Sequence, residues 1–294
     1  MACRPASLST ATSDSHLTRV VRTREALRAA LDASPRPIGL VPTMGWLHDG
    51  HRALMVRARA ENATTVVTIF VNPRQFGDGD DLARYPRNEA RDLATCEAEG
   101  VTVVFAPPVD QVYLPGFDTD VSVGAIARPL EGAARPGHFD GVATVVAILF
   151  GLVRADRAYF GQKDAQQVAV IRRMAIDLAI PTEVTACPTI READGLAMSS
   201  RNVYLSPAER AAAPVLHQAL LAGRAAWQDG EINGEALRAR IRETLAAEPL
   251  ARVEYASCAD AATLAELDTV DRPALLSLAV RFGTTRLIDN EPLG

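Results

Sequence analysis

The sequence predicts an α/β protein, a parallel-sheet domain followed by a smaller C-terminal α+β domain. Three observations carry this. Over residues 17–190, short apolar runs alternate with Ala-, Leu- and Arg-rich stretches, as in a buried parallel sheet with crossover helices. Two of those runs feed glycine-bearing turns that lead into helical stretches. After Leu205 the composition shifts to Ala-rich helical segments and then strand-like runs. A chain of 294 residues is expected to form one large or two ordinary domains. Its 48% hydrophobic and 23% charged residues supply a sizeable core.

Some function classes recede on composition. The net charge of −5 gives no global electrostatic case for nucleic acid. The longest apolar run, Val142 to Val153, is too short to span a bilayer. Met1 to Ser15 is polar and lacks the apolar region of a signal peptide, so residues 1–16 are expected to be a disordered tail. Cys3, Cys96, Cys187 and Cys258 are scattered, which fits free thiols in a reducing cytoplasm.

Taken in order, Thr23 caps a first helix to Leu31. Ile38 to Val41 is a buried strand. Pro42 to His51 forms a turn, and Arg52 to Ala60 favours helix. A helix start gathers unpaired N–H groups and the positive end of the dipole, which suits phosphate. His48 and His51 share one face there, and each can donate a hydrogen bond or a charge. Gly45 and Gly50 allow a ligand close to the backbone. Two histidines at this spacing also suit a zinc site or an ordinary helix start. The glycine order is neither a dinucleotide fingerprint nor a P-loop.

Thr64 to Val71 is strongly β-branched, and Asn72-Pro73 ends it. Gln75 in the following loop offers two donors and an acceptor, as any polar loop residue does. Gly77 to Tyr85 is acidic and Gly-rich, hence a flexible loop. Asn88 to Glu99 is helical and closes at Gly100; Asp92 suits a solvated face of it. Val101 to Phe105 is a strand. A loop from Leu130 leads to a helix over Val142 to Val153, capped by Asp140. That helix is apolar all round, so it belongs in a core or at a dimer interface. Ala158 to Phe160 is a strand, and Lys163 follows it as a point charge at a strand-to-helix turn. Lys163 and Asp164 also suit an exposed pair.

Pro181 to Ile190 is the last strand of this domain. Arg191 to Asn202 then brings Ser199, Ser200 and Arg201, donors for a polyphosphate. The same stretch reads equally as an interdomain linker. Ser206 to Glu209 is a capping box with Pro207 at the first helical position, and its helix runs to Trp227. Asn233 caps another helix. Strand-like runs at 251–257, 275–281 and 286–289 complete the smaller domain. Residues 231–273 carry no usable motif.

Together these segments resemble the pantothenate synthetases, within the H-x-G-H nucleotidyltransferase superfamily. P-T-M-G-x-L-H-x-G-H at 42–51 and F-V-N-P-x-Q-F at 70–76 match the family. So do H-F-D-G-V at 138–142, F-G-Q-K-D-x-Q-Q at 160–167 and R-E-x-D-G-L-A-M-S-S-R-N at 191–202. Arg74 replaces an apolar residue of that pattern, and Gly283 to Asn290 matches the family's end. The resemblance implies a Rossmann-like ATP- and pantoate-binding domain over 17–190, a lid domain over 191–294 and a homodimer. It implies ATP and Mg²⁺, and condensation of pantoate with β-alanine through pantoyl adenylate.

It also implies a site. His48, His51, Lys163, Ser199, Ser200 and Arg201 would be catalytic. Met44, Gly45, Trp46, Leu47, Asp49, Gly50, Gly161, Gln162, Asp164, Ile190 and Met198 would complete the ATP site. Asn72, Gln75, His138 and Gln167 would hold substrate, and Asp92 a metal. Two other classes remain open at this point. A related nucleotidyltransferase would keep the histidines, but Gln75 and Gln167 argue against it. A silent nucleotide-binding protein is opposed by Lys163 and Met198 to Arg201.

Overall fold

The computed structural model describes residues 18–77, 82–83 and 85–294. The expected tail over 1–16 lies outside them, as do residues 78–81 and 84 of the expected Gly77–Tyr85 loop. Six parallel strands form the larger sheet: β1 (Arg19–Val21), β2 (Ile38–Thr43), β3 (Thr64–Ile69), β4 (Val103–Phe105), β5 (Arg157–Gly161) and β6 (Glu183–Cys187). Their order is β1-β4-β3-β2-β5-β6. β1 was not foreseen; it is a three-residue edge strand with only Val21 buried, too short to show a period. β2 runs on through Pro42, which has no N–H for the ladder. The Thr43 hydroxyl, donating to the Thr68 carbonyl at 2.7 Å, holds that end instead.

Helices cover both faces: α1 (Arg24–Asp32), α2 (Asp49–Glu61), α3 (Glu89–Ala98), the short α4 (Val109–Val112) and α5 (Glu131–Ala134), α6 (His138–Val153) and α7 (Ala165–Asp177). Successive strand residues point to opposite faces. Leu40, Val66, Val103 and Phe160 therefore meet Leu27, Val142, Leu149, Ile171 and Met174 in one core. Val41, Val67, Val104 and Tyr159 meet Leu54, Met55, Ala58 and Cys96 in the other. Each large aliphatic side chain so buried contributes about 1.5–3 kcal/mol. α6 starts four residues earlier than expected, after Gly137 at φ 78°. Asp140 thus sits in the first turn, where its charge suits the dipole, and does not cap the helix. The all-apolar α6 is absorbed by the core of its own chain, with ten buried residues.

The C-terminal unit holds α8 (Pro207–Ala212), α9 (Val215–Gln228) and α10 (Gly234–Ala246) against an antiparallel sheet of β7 (Arg252–Asp260), β8 (Ala274–Phe282) and β9 (Thr285–Leu293). The one Ala-rich helix expected from Pro207 to Trp227 is two helices, because Pro214 lacks the N–H that would continue α8. Leu216, Leu220, Leu237 and Ile241 pack on Leu276, Leu278 and Phe282.

In the larger sheet the chain moves outward from β2 through β3 to β4, then returns to place β5 on the other side of β2. Ligands of open parallel sheets bind outside the carboxyl ends of the strands at such a reversal. The β2, β3 and β5 ends carry the motifs at 42–51, 70–76 and 160–167.

Candidate active site

The turn after β2 is shaped by a carboxylate. Gly45 (φ 82°) and Trp46 (φ 52°) are both left-handed. This aims two successive N–H groups at Asp92, whose two oxygens accept from Trp46 N and Leu47 N at 2.8 Å each. Asp92 is 1% exposed. A β-carbon at Gly45 would come within 2.9 Å of its oxygen. Asp92 therefore anchors the turn from inside, where a solvated helix face was expected, and the two oxygens that the resemblance assigns to a metal accept from backbone N–H groups. Arg91 beside it lies 4.9 Å over the Trp46 ring.

That anchoring delivers His48 to the N-cap of α2. His48 Nδ1 accepts from Gly50 N at 3.1 Å, and His51 Nδ1 accepts from His48 N at 3.3 Å. With both Nδ1 atoms committed as acceptors, each neutral ring carries its proton on Nε2. A β-carbon at Gly50 would sit 2.8 Å from the His48 ring, so this glycine makes room for imidazole. The rings lie 4.1 Å apart. Burial, then the Lys163 charge, pushes His48 down to about 4. Burial, then His48, pushes His51 down to about 3. At pH 7 the two rings are therefore neutral, which leaves them the first of the two expected roles, hydrogen-bond donation.

Burial of these rings couples folding to pH. Between pH 4 and 6.5 the unfolded chain protonates the two histidines and the folded one does not, so unfolding takes up protons. The free energy of unfolding is expected to rise with pH across that window and to flatten above it. Denaturant titrations at fixed salt check this; a fall in stability from about pH 4.5 to 6.5 would contradict the burial of the rings.

A cleft of about 230 Å³ is lined by Met44, His48, Gly50, His51, Gly161, Lys163, Asp164, Ile190, Met198, Ser199, Ser200 and Arg201. Gln75, Asn72, His138 and Gln167 line its other side. Lys163 Nζ is 3.4 Å from Asp164 Oδ1. Burial works to raise the Asp164 pKa, but the Lys163 and Arg201 charges outweigh it and hold the carboxyl below its ordinary value. The Ser199 hydroxyl accepts from Arg201 N at 3.2 Å, capping the turn over Ser200–Tyr204. Tyr85, which sequence reasoning passed over, lines the cleft and hydrogen-bonds Ser200.

Five further residues of the expected ATP site have partners within the protein. Leu47 is core, Trp46 stacks on Arg91, Asp49 pairs with Arg52, and Gln162 bonds Asn290. Gly45 is buried against Asp92.

The substrate residues also divide. Asn72 is 1% exposed. Its amide donates to Gln75 Oε1 (3.1 Å) and Gly141 O (3.0 Å), and its oxygen accepts from Arg74 N (3.2 Å) and the Tyr113 hydroxyl (2.6 Å). His138 Nδ1 is 2.9 Å from Gln75 O and its Nε2 is 3.2 Å from Arg135, which also donates to Gln75 O at 3.1 Å. Burial, then Arg135, pushes His138 down to about 4. Asn72 and His138 thus hold Gln75, whose amide nitrogen donates, among the described residues, to the Met44 thioether at 3.2 Å, a weak acceptor. A second cavity of about 670 Å³ shares Lys163, Gln167 and Arg201 with the cleft and continues toward Glu131 and Arg286. There Arg286 is bound by Glu131 and Glu254, joining α5 to the C-terminal sheet.

Residues 17–292 match the family described as Pantoate-beta-alanine ligase. The chain is 61% identical over 272 residues to the pantothenate synthetase of Roseiflexus sp. strain RS-1, covering 92% of this chain and 98% of that one. It is 55% identical over 273 residues to that of Herpetosiphon aurantiacus, covering 92% and 99%. A crystal structure of pantothenate synthetase from Thermus thermophilus superposes with a TM-score of 0.89 at 50% identity, over 93% of this chain and 99% of that one. The pantoate-beta-alanine ligase of Francisella tularensis, solved with beta-gamma ATP and beta-alanine, gives 0.77 at 32% identity over 93% and 97%.

Proposed function

The chain belongs to the pantoate-beta-alanine ligase family, and we propose how its residues carry out the ATP-dependent condensation of pantoate with β-alanine. Pantoate's carboxylate attacks the α-phosphorus of ATP, and the bond to the bridging oxygen breaks to release pyrophosphate. The amine of β-alanine then attacks the acyl carbon of pantoyl adenylate, loses a proton and displaces AMP. The substrate is the nucleophile, so no nucleophilic side chain is required. The difficulty is charge: an anion must approach an anion, and the leaving group gains charge. Lys163 and Arg201 supply the fixed positive charge, and the Nε2–H groups of His48 and His51 supply neutral donors. Ser199 and Ser200 close over the phosphates. Gln75 presents its amide nitrogen to pantoate, and Gln167 holds a hydroxyl. The observation that carries this reading is that donors from four separate segments meet on one cleft at the sheet's reversal point.

Mg²⁺ belongs to the proposal in a limited form. Among the described residues no three His, Cys, Asp or Glu side chains form a metal-holding group. Mg²⁺ in nucleotide enzymes relies on phosphates and one or two carboxylates, and Asp164 is the carboxylate lining this cleft. Asp164 would hold the ion, which when bound neutralises phosphate charge. A homodimer in the cytoplasm completes the reading. Its support is family resemblance, with Cys96, Cys187 and Cys258 free and buried. Among the described residues no helix is long and apolar enough to cross a membrane.

The test is pantoate-dependent exchange of labelled pyrophosphate into ATP with Mg²⁺ present and β-alanine absent. Exchange is expected; its absence with ATP still bound would remove the adenylate step. Gln75→Ala is expected to raise the KM for pantoate about tenfold, the scale of one lost hydrogen bond, with the KM for ATP nearly unchanged. The reverse pattern would displace Gln75 from the pantoate end.

A further inference from the structure

The turn that carries Lys163 is gripped from the other domain. Asn290 on β9 is 4% exposed. Its Nδ2 donates to the carbonyls of Gln162 and Lys163, each at 2.9 Å. Its Oδ1 accepts from Gln162 Nε2 at 3.3 Å. The next residue back, Asp289, is 2% exposed and pairs through both oxygens with Arg191 at 2.6 and 3.1 Å. Asp289 Oδ1 also accepts from Asn290 N at 2.9 Å, so the two residues are locked together. Arg191 in turn donates to Gly195 O at 3.2 Å and bridges to Ala197, at the base of the hairpin that leads to Met198 and Arg201. Two adjacent residues on one strand therefore hold the segments that bring Lys163 and Arg201 to the cleft.

We propose that Asn290 and Asp289 are positioning residues that set the spacing between Lys163 and the Ser199–Arg201 loop for adenylate formation. The inference rests on the role given above to Lys163. Both residues border the adjoining larger cavity and neither lines the cleft of the histidines. Their polar atoms are committed to Arg191, Gln162, Lys163 and each other, so each acts through the segment it holds. Pyrophosphate has already left when β-alanine attacks. The spacing of the two cations therefore matters to the first half-reaction and little to the second.

The experiment measures both halves on the full chain. Adenylate formation is followed by pantoate-dependent pyrophosphate exchange, and aminolysis by single-turnover reaction of supplied pantoyl adenylate with β-alanine. Asn290→Ala and Asp289→Asn, each verified folded by its melting curve, are expected to slow exchange about tenfold to hundredfold, the cost of a misplaced group. Aminolysis is expected to stay within about twofold of wild type. If Asp289→Asn fails to fold, Asn290→Ala carries the test, with Asn290→Ser as its smaller perturbation. Parallel loss in both halves would reduce the pair to structural support and overturn the proposal, as would unchanged exchange. Lys163→Ala is measured alongside: if it leaves exchange intact, the role of Lys163 fails first and this inference falls with it. If Lys163→Ala abolishes exchange while the β9 variants do not alter it, only the positioning claim is wrong.

Discussion

Lys163→Ala is expected to lower the rate of adenylate formation by about 10²–10³, equivalent to about 2.7–4 kcal/mol of transition-state stabilisation. Among the cleft residues Lys163 is the ammonium, a compact charge with three donors, only 15% exposed at its side chain. Its resting partner is a weak one. Asp164 is 46% exposed and 3.4 Å away, a pair worth about 0–1 kcal/mol at most. Removing Lys163 should hardly move the melting temperature, and the loss should appear in kcat for pyrophosphate exchange. Lys163→Arg restores charge but exchanges a point for a planar fork, so partial recovery is expected. Exchange at near-wild-type rate in Lys163→Ala would remove the residue from the mechanism.

Much of this site was legible because its parts are local. A β-branched run, a Pro that ends it and a capping box are written in neighbouring residues, and β2, β3, β5 and the Ser206 cap lie where those signals put them. What the sequence did not show depends on long-range docking. Asp92 reads as a solvated helix residue until α3 packs its first turn under the β2 turn, 46 residues away in sequence from Trp46. The family resemblance makes Asn72 and His138 substrate ligands, and it does not show that both also brace Gln75, with their other polar atoms bonded to Gly141, Arg74, Tyr113 and Arg135. Asn290 lies 127 residues from the Lys163 carbonyl it binds. Its only signal was that the chain's end keeps a motif. Protonation is the least legible property, since the charge state of His48 and His51 is set by burial and by Lys163, not by the H-x-G-H spacing.

That protonation state makes the second large prediction specific. His51 accepts at Nδ1 from His48 N and lines the cleft, and the proposed mechanism gives its Nε2–H the role of donor, so one ring would do two jobs. His51→Ala removes both, and exchange is expected to fall by about 10²–10³, the scale of losing one donor aimed at developing charge. Two further substitutions separate the jobs. In His51→Asn the side-chain oxygen stands near the Nδ1 position and can accept from His48 N, but nothing replaces Nε2–H. Its melting temperature should match wild type while exchange stays as low as in His51→Ala. In His51→Gln the amide nitrogen reaches toward the Nε2 position, so part of the exchange should return at some cost in stability from the lost cap, about 0.5–2 kcal/mol. The two variants are thus expected to rank in opposite orders by activity and by melting temperature. If His51→Asn were active and His51→Gln inactive, the cap would be what catalysis requires, and the imidazole would serve only to shape the start of α2.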